Sequence, residues 1–195
     1  MANPSETQEV KSIEENVDNL PSVDFANKLK MASREKECWE VVKKVAQNAF
    51  KAKEKIGLIV VLGYFDRQGG CVKGMKQVKG TNPVDSLIWI TGKAAPDMLT
   101  EWARPPHDGA IVVNHTGQII GANIMLILES FDVESTDEYG MRHIAAASFS
   151  KREEVIATFT ISEESGKARM FKDGREYSTE DPSVKKKKNE EDEEE

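Results

Sequence analysis

Residues 58–65, Leu-Ile-Val-Val-Leu-Gly-Tyr-Phe, form a near-continuous apolar run directly behind a stretch with helical pattern. A strand wetted on one face alternates apolar with polar residues, so a run without alternation is what a strand covered on both faces requires. Ahead of it, within 34–56, apolar residues recur at Cys38, Val42, Val45 and Ala49, with Trp39, Ala46 and Phe50 alongside. That spacing predicts one face of an amphipathic helix, ended at Gly57. A helix followed by a doubly covered strand implies α/β layers.

The rest of the chain fits such a layered fold. Residues 96–104 read as a short helix stopped by Pro105-Pro106. Residues 110–113 and 118–128 are apolar runs joined by Asn114-His115-Thr116-Gly117, which predicts a β-hairpin. Residues 140–149 open a helix with alanines at 145–147. The β-rich runs 155–161 and 167–171 flank Ser162-Glu163-Glu164-Ser165-Gly166, and Asp173-Gly174 turns the chain again. Residues 66–83 hold Gly69, Gly70, Gly74, Gly80 and Pro83 among Lys73, Lys76 and Lys79, and read as a mobile basic loop, either a plain exposed connection or a cover for a phosphate site.

With 195 residues, 38% of them hydrophobic, the chain suits one domain with a core. The expected domain is 31–179, between a largely disordered acidic segment, 1–30, and a disordered Lys/Glu-rich tail, 180–195. The net charge of −7 belongs to these ends: 1–30 holds six acids against three lysines, and 180–195 eight acids against four lysines. The near-neutral body argues against nucleic acid as a partner. The four lysines and following acids of the tail read as a solvated segment, the alternatives being an import signal or a basic docking patch. Cys38 and Cys71 are the only cysteines, so a disulfide framework is not expected and a reducing compartment fits. Neither a secretory signal nor the ~18–20 apolar residues of a membrane span is present, and a soluble, cytoplasmic protein is expected.

Three short motifs carry chemistry: His107-Asp108-Gly109-Ala110, Gly140-Met141-Arg142-His143 and Ser162-Glu163-Glu164-Ser165-Gly166. Singly each is a turn with polar residues. Together they supply a carboxylate beside flexible backbone, a cationic pair and a second carboxylate, a set that suits a nucleoside triphosphate and its metal. Asp108 can bind a divalent ion, address a hydroxyl, or both, and Gly109 lets backbone approach a sugar where a Cβ would collide. The same residues alone are also an ordinary Asp-Gly turn. His107 and His143 are candidates for metal or phosphate contact, or loop histidines, and His115 reads as surface. Arg142 and His143 lie at a predicted helix start, where backbone N–H groups favour anions and an arginine fork adds bidentate phosphate binding. The alternative for Arg142 is a surface ion pair with Asp137 or Glu138. Glu163 offers Mg2+ or Mn2+ a hard oxygen, and Ser162 offers phosphate a hydroxyl, unless the turn is simply a polar hairpin. There is no phosphate loop of the G-x-x-x-x-G-K-S/T kind.

In order and context these motifs resemble the diadenylate cyclase domain, the N-terminal catalytic module of the DisA family, over residues 34–176. Arg104-Pro105-Pro106-His107-Asp108-Gly109-Ala110 is similar to the stretch ending in Asp-Gly-Ala, and Gly140-Met141-Arg142-His143 to the Arg-His-Arg block. The Ser-Glu-Glu-x-Gly turn matches 162–166, and Phe171-Lys172-Asp173-Gly174-Arg175 resembles a hairpin of archaeal-type members. The resemblance implies an α/β fold with a mixed, twisted central β-sheet flanked by helices on both faces. It implies condensation of two ATP into cyclic di-AMP and two pyrophosphates. Asp108, Arg142 and His143 would then be catalytic, with ATP contacts from Gly109, Ala110, Met141, Arg142, His143 and Ser162. Mg2+ or Mn2+ would be held by Asp108, Glu163 and His107. Because each 3′-hydroxyl attacks the other molecule's α-phosphate, subunits are expected to meet face to face in a homodimer or higher oligomer.

Two positions depart from the family pattern. Ile144 stands where a second arginine is usual in bacterial members, and Met141 replaces a threonine. One cation and one hydroxyl of the phosphate cradle are thus missing, with Lys73, Lys76, Lys79 and Arg152 as candidate substitutes for the charge. The competing readings are a catalytically silent sensor of ATP or cyclic di-AMP, and a purely structural α/β interaction domain.

Overall fold

Side chains alternate across a strand, and at residues 58–63 this alternation sorts the molecule into two layers of packing. The computed structural model describes residues 23–65, 75–78, 84, 87–105, 107, 109–128, 130, 133–134 and 136–184. In it, Leu58, Val60 and Leu62 of β1 (Leu58–Gly63) pack with Cys38, Val42, Val45 and Ala49 of α1 (Val23–Ala52) and with Leu99 and Trp102 of α2 (Ala95–Trp102). Ile59 and Val61 face the other way, toward Ala146, Ala147 and Phe149 of α3 (Met141–Phe149). The strand is therefore covered on both faces, as its unbroken apolar run implied.

Among the described residues eight strands form one mixed sheet. Its order is β2 (Met75–Gln77), β5 (Gln118–Leu126), β4 (Ala110–Asn114), β1, β6 (Val155–Ile161), β7 (Ala168–Lys172) and β8 (Arg175–Glu180), and β3 (Ile88–Trp89) also pairs with β5. The β1–β4 pair is parallel, and the remaining pairs are antiparallel. The chain falls into two compact units, Met1–Ser33 and Arg34–Glu195, with every described strand and both α2 and α3 in the second. No described helix is long and apolar enough to cross a membrane.

Three local expectations differ from what is found. The first is α1, which starts at Val23 rather than 34, because apolar periodicity marks only the buried part of a helix, and within 29–52 burial begins at Cys38. It also ends at Ala52, before Gly57. Lys53 adopts a left-handed conformation, φ 57, which lets its N–H donate to the Phe50 carbonyl at 3.1 Å and the Glu54 N–H donate to the Ala49 carbonyl at 2.9 Å. This two-bond closure of a helix end is usually made with glycine.

The second is the basic segment 66–83, in which Met75–Gln77 is a short strand paired with β5, Met75 opposite Leu126. Three residues are too few to display a period, so only the partner reveals the strand; Lys73 and Lys79 lie outside the described residues, as do 1–22 and 185–195. The third is β3, two residues long and invisible to pattern for the same reason. The β4–β5 hairpin forms where expected, but with irregular register: Ala110 faces Ile124, Val112 faces Gly121 and Val113 faces Ile119. Each shift puts an extra residue into β5, and at the first of these bulges Asn123 has φ 61.

Candidate functional site

Strand direction gathers the three motifs. β1 and β4 run parallel with Ile59 opposite Ala110, while Leu58 pairs with Ile161 at the end of antiparallel β6. The residues just before β1, just before β4 and just after β6 therefore share one edge of the sheet. α3 brings its first turn to the same edge. There Arg142 Nη1 donates to Glu163 Oε2 at 2.9 Å, and its guanidinium lies over Gly57, where any Cβ would overlap it.

Between these groups is a recess of about 270 Å3 lined by Lys55, Gly57, His107, Arg142 and Glu163, with Ala103 and Pro105 behind α2. An adjoining cavity of about 100 Å3 shares Gly57, His107 and Arg142 and adds Gly109 and Ile59. One residue from each motif, His107, Arg142 and Glu163, thus borders one space. Asp108 lies outside the described residues, but both its neighbours, His107 and Gly109, border these cavities. Gly109 has φ 138, and a Cβ on it would come within 2.7 Å of the Ile124 nitrogen. Its glycine is thus required by the close backbone of β5, whatever else approaches it.

The other expected contacts are placed differently. Ala110 is buried among Val112, Ile124 and Phe149 rather than in the recess. Met141 is 67% exposed on the first turn of α3. Ser162 borders a neighbouring groove, and its hydroxyl accepts the Ser165 N–H at 3.2 Å, shaping the turn that presents Glu163. Arg142 pairs with Glu163, not with Asp137 or Glu138. His115 is exposed and stacks on Tyr64, ring centroids 5.5 Å apart. Of the proposed substitute cations, Lys76 sits on β2 opposite Met125, and Arg152 pairs with Glu154 at 2.6 Å beyond the far end of α3.

His143 is buried at 4% exposure, and its Nδ1 accepts the Gly140 N–H at 3.2 Å, tying down the start of α3. Its Nε2 lies 3.3 Å from Arg169 Nη1. Burial, reinforced by the positive charges of Arg169 and Arg142, pushes its pKa down to about 4, so the ring is neutral at pH 7. A neutral imidazole has one lone pair in its ring plane and cannot accept from both donors. The cation beside it is Arg169, also 4% exposed, whose Nη2 pairs with Glu138 at 2.6 Å and whose Nε pairs with Glu176 at 3.0 Å. The Tyr139 hydroxyl donates to Glu176 at 2.8 Å, and burial with that bond pushes the phenol up to about 12. This network joins β7, β8 and the chain entering α3, and thereby fixes the helix turn that carries Arg142.

Sequence reading missed Gly57, Lys55 and Arg169 as parts of the site. For Arg169 a signal existed: an arginine inside the apolar strand run Ala168-Arg169-Met170-Phe171 must find buried partners. Gly57 and Lys55 carried none, since only tertiary approach brings Arg142 and Glu163 beside them. Among the described residues no three His, Cys, Asp or Glu side chains converge as a metal site. Glu163 and His107 do border the same recess; Glu163 offers the hard oxygen that Mn2+ or Mg2+ prefers, while imidazole is a ligand more usual for the later transition metals.

Known proteins resemble the chain in sequence and in fold. Over 75 residues it is 39% identical to a diadenylate cyclase of Methanocaldococcus jannaschii, a stretch that is 38% of this chain but only 24% of that relative. The fold is similar to that of a double mutant of Staphylococcus aureus DacA, with TM-score 0.52 and 23% identity over 73% of this chain and 86% of the other. It is also similar to a Bacillus cereus protein described as a hypothetical membrane spanning protein, with TM-score 0.50 and 24% identity over 69% and 59% of the two chains. Residues 47–176, which include all three motifs, match the family of DisA bacterial checkpoint controller nucleotide-binding domains, and the chain belongs to that family.

Proposed function

We propose that this chain condenses two ATP into cyclic di-AMP and two pyrophosphates, with residues 31–179 as the unit that does so. The observation that carries the reading is the convergence of His107, Arg142 and Glu163, one from each motif, on a single recess. The diadenylate cyclase named among the relatives supports the same activity.

The reaction needs a positioned 3′-hydroxyl, a held α-phosphate and positive charge where pyrophosphate departs. Arg142 supplies the last two by exchanging Glu163 for phosphate oxygens. The exchange costs little, because a solvent-exposed ion pair is worth only about 0–1 kcal/mol. Glu163, so released, would join Asp108 and His107 in holding Mg2+ or Mn2+. Held by these residues, a divalent ion would neutralise phosphate charge and make the attacking hydroxyl more acidic. Asp108 accepts the 3′-hydroxyl proton. The 3′-oxygen then bonds to the facing α-phosphorus, the bond between the α- and β-phosphates breaks, and its electron pair leaves with pyrophosphate. His143 acts as a neutral ring holding α3 in register, with Ser162 shaping the opposite turn. Since each recess serves one ATP, two chains face each other around a two-fold axis.

The test is incubation with ATP and either Mn2+ or Mg2+, products resolved by chromatography and mass, beside an Asp108→Asn control. Cyclic di-AMP from the parent and none from the control is the expected result. No product with either metal, together with saturable ATP binding, would replace this reading with that of a nucleotide sensor.

A further inference from the structure

The turn that carries Glu163 and the helix start that carries Arg142 are joined a second time, by residues that do not line the recess. Glu138, two residues ahead of Gly140, accepts through one oxygen from Arg169 Nη2 at 2.6 Å and from Lys167 Nζ at 3.4 Å. Lys167 closes the Glu163 turn, its carbonyl accepting the Ser162 N–H at 3.0 Å, and Arg169 follows it into β7. The Arg142–Glu163 pair and the Glu138 contacts therefore bridge the same two segments.

Arg169 fixes the geometry of this second bridge. Its guanidinium is planar, and three of its nitrogens reach three different segments. Nη2 reaches the chain entering α3 through Glu138, Nε reaches β8 through Glu176 at 3.0 Å, and Nη1 reaches α3 itself, 3.3 Å from His143 Nε2. A fork held in three directions leaves its strand little freedom to shift against the helix. The Tyr139 ring closes the cluster, its centroid 5.6 Å from both the Arg169 guanidinium carbon and the His143 ring centre. Stability alone does not account for this arrangement. Arg169 is desolvated within the apolar run Ala168-Arg169-Met170-Phe171, and its Nη1 meets an imidazole whose Nδ1 lone pair already accepts the Gly140 N–H. A well-packed apolar side chain in such a place is commonly as stable or more so, whereas a polar cluster imposes one arrangement on the groups it joins.

We propose that Arg169 and Glu138 are positioning residues for nucleotidyl transfer, setting the gap across which Arg142 and Glu163 face each other so that both keep their places when their ion pair opens to admit nucleotide. The reaction needs this more than binding does, because displacing a reacting group by about 1 Å can cost about a hundredfold in rate. The inference rests on reading the recess as the nucleotidyl-transfer site, and its test is built to fail separately from that reading.

The experiment measures kcat and KM for ATP, melting temperature and amide hydrogen exchange in the full chain for the parent, Arg169→Met, Arg169→Lys and Glu138→Gln. Arg169→Met, apolar and of similar length, should fold and lower kcat by between about tenfold and a hundredfold, with KM changed by less than about twofold. Arg169→Lys keeps the charge but not the fork, and should recover little of the rate. Glu138→Gln, at a side chain 64% exposed, should keep its melting temperature and lose about fivefold in kcat. The His143 and Ile144 amides, which donate to the Gly140 carbonyl, should exchange faster in Arg169→Met. Should Arg169→Met fail to fold, Glu138→Gln decides by the same kcat and KM readings. Parent kcat in the folded variants would overturn the proposal and leave the cyclase reading standing. A parent that forms no cyclic di-AMP would fail the cyclase reading instead, and the two amides would then decide: faster exchange in Arg169→Met keeps the pair as the device that positions Arg142, and unchanged exchange removes it.

Discussion

Arg142 and His143 are neighbours in sequence, yet one side chain is 42% exposed over the recess and the other is buried under the first turn of the same helix. Burial first, then Arg169, lowers the folded pKa of His143 from 6.5 to about 4. Between those values the unfolded chain binds the proton and the folded chain does not. Stability is therefore complete above about pH 6.5 and falls as the pH drops toward 4. The loss should reach at most about 3 kcal/mol, since each tenfold difference in proton affinity between the folded and unfolded chain is worth ~1.4 kcal/mol. In the parent the His143 ring should show no titration by NMR above pH 5; Arg169→Met, which removes the adjacent charge, should raise its midpoint. A folded parent titrating near the ordinary histidine value would contradict the assignment. Gly57 governs the other side chain. In Gly57→Ala the new methyl displaces the flexible tip of Arg142, so the melting temperature should barely move while KM for ATP rises about tenfold, equivalent to one charge-assisted hydrogen bond. An unchanged KM would remove Arg142 from the phosphate-binding role.

Elements meet at this site through backbone as much as through side chains. The bulged β5 approaches Gly109 so closely that a Cβ there would lie 2.7 Å from the Ile124 nitrogen and 2.8 Å from its oxygen, neither of which can swing aside. Gly109→Ala should cost about 2–4 kcal/mol, combining left-handed strain with overpacking, and should appear as a lowered denaturation midpoint even without nucleotide. On the opposite side of the recess, Arg169 ties β7 and β8 to the chain entering α3. The runs that form β1, the β4–β5 hairpin, β6 and β7 were legible because each has enough residues to show a period or an unbroken apolar stretch. β2, β3 and the true end of α1 were not, because short strands exist only through their partners and Lys53 closes a helix in a glycine's place.

For the molecule as a whole, one mixed sheet with helices on both faces leaves the recess at an edge, open toward whatever faces it. If two copies supply the two ATP molecules, specific activity should fall on dilution through the dissociation range of the dimer, as followed by sedimentation. Full activity from a demonstrated monomer would exclude the face-to-face arrangement. The sequence alone determined the layered α/β class, the order of the motifs and the kind of ligand they suit, since periodicity and side-chain chemistry are local properties of a chain. Only the tertiary structure decided that Gly57 yields space to Arg142, that Lys55 borders the recess, and that His143 is a neutral, buried support beside Arg169. Those facts depend on strand direction and register, which bring sequence-distant residues to one edge and set which side of a helix turn meets water.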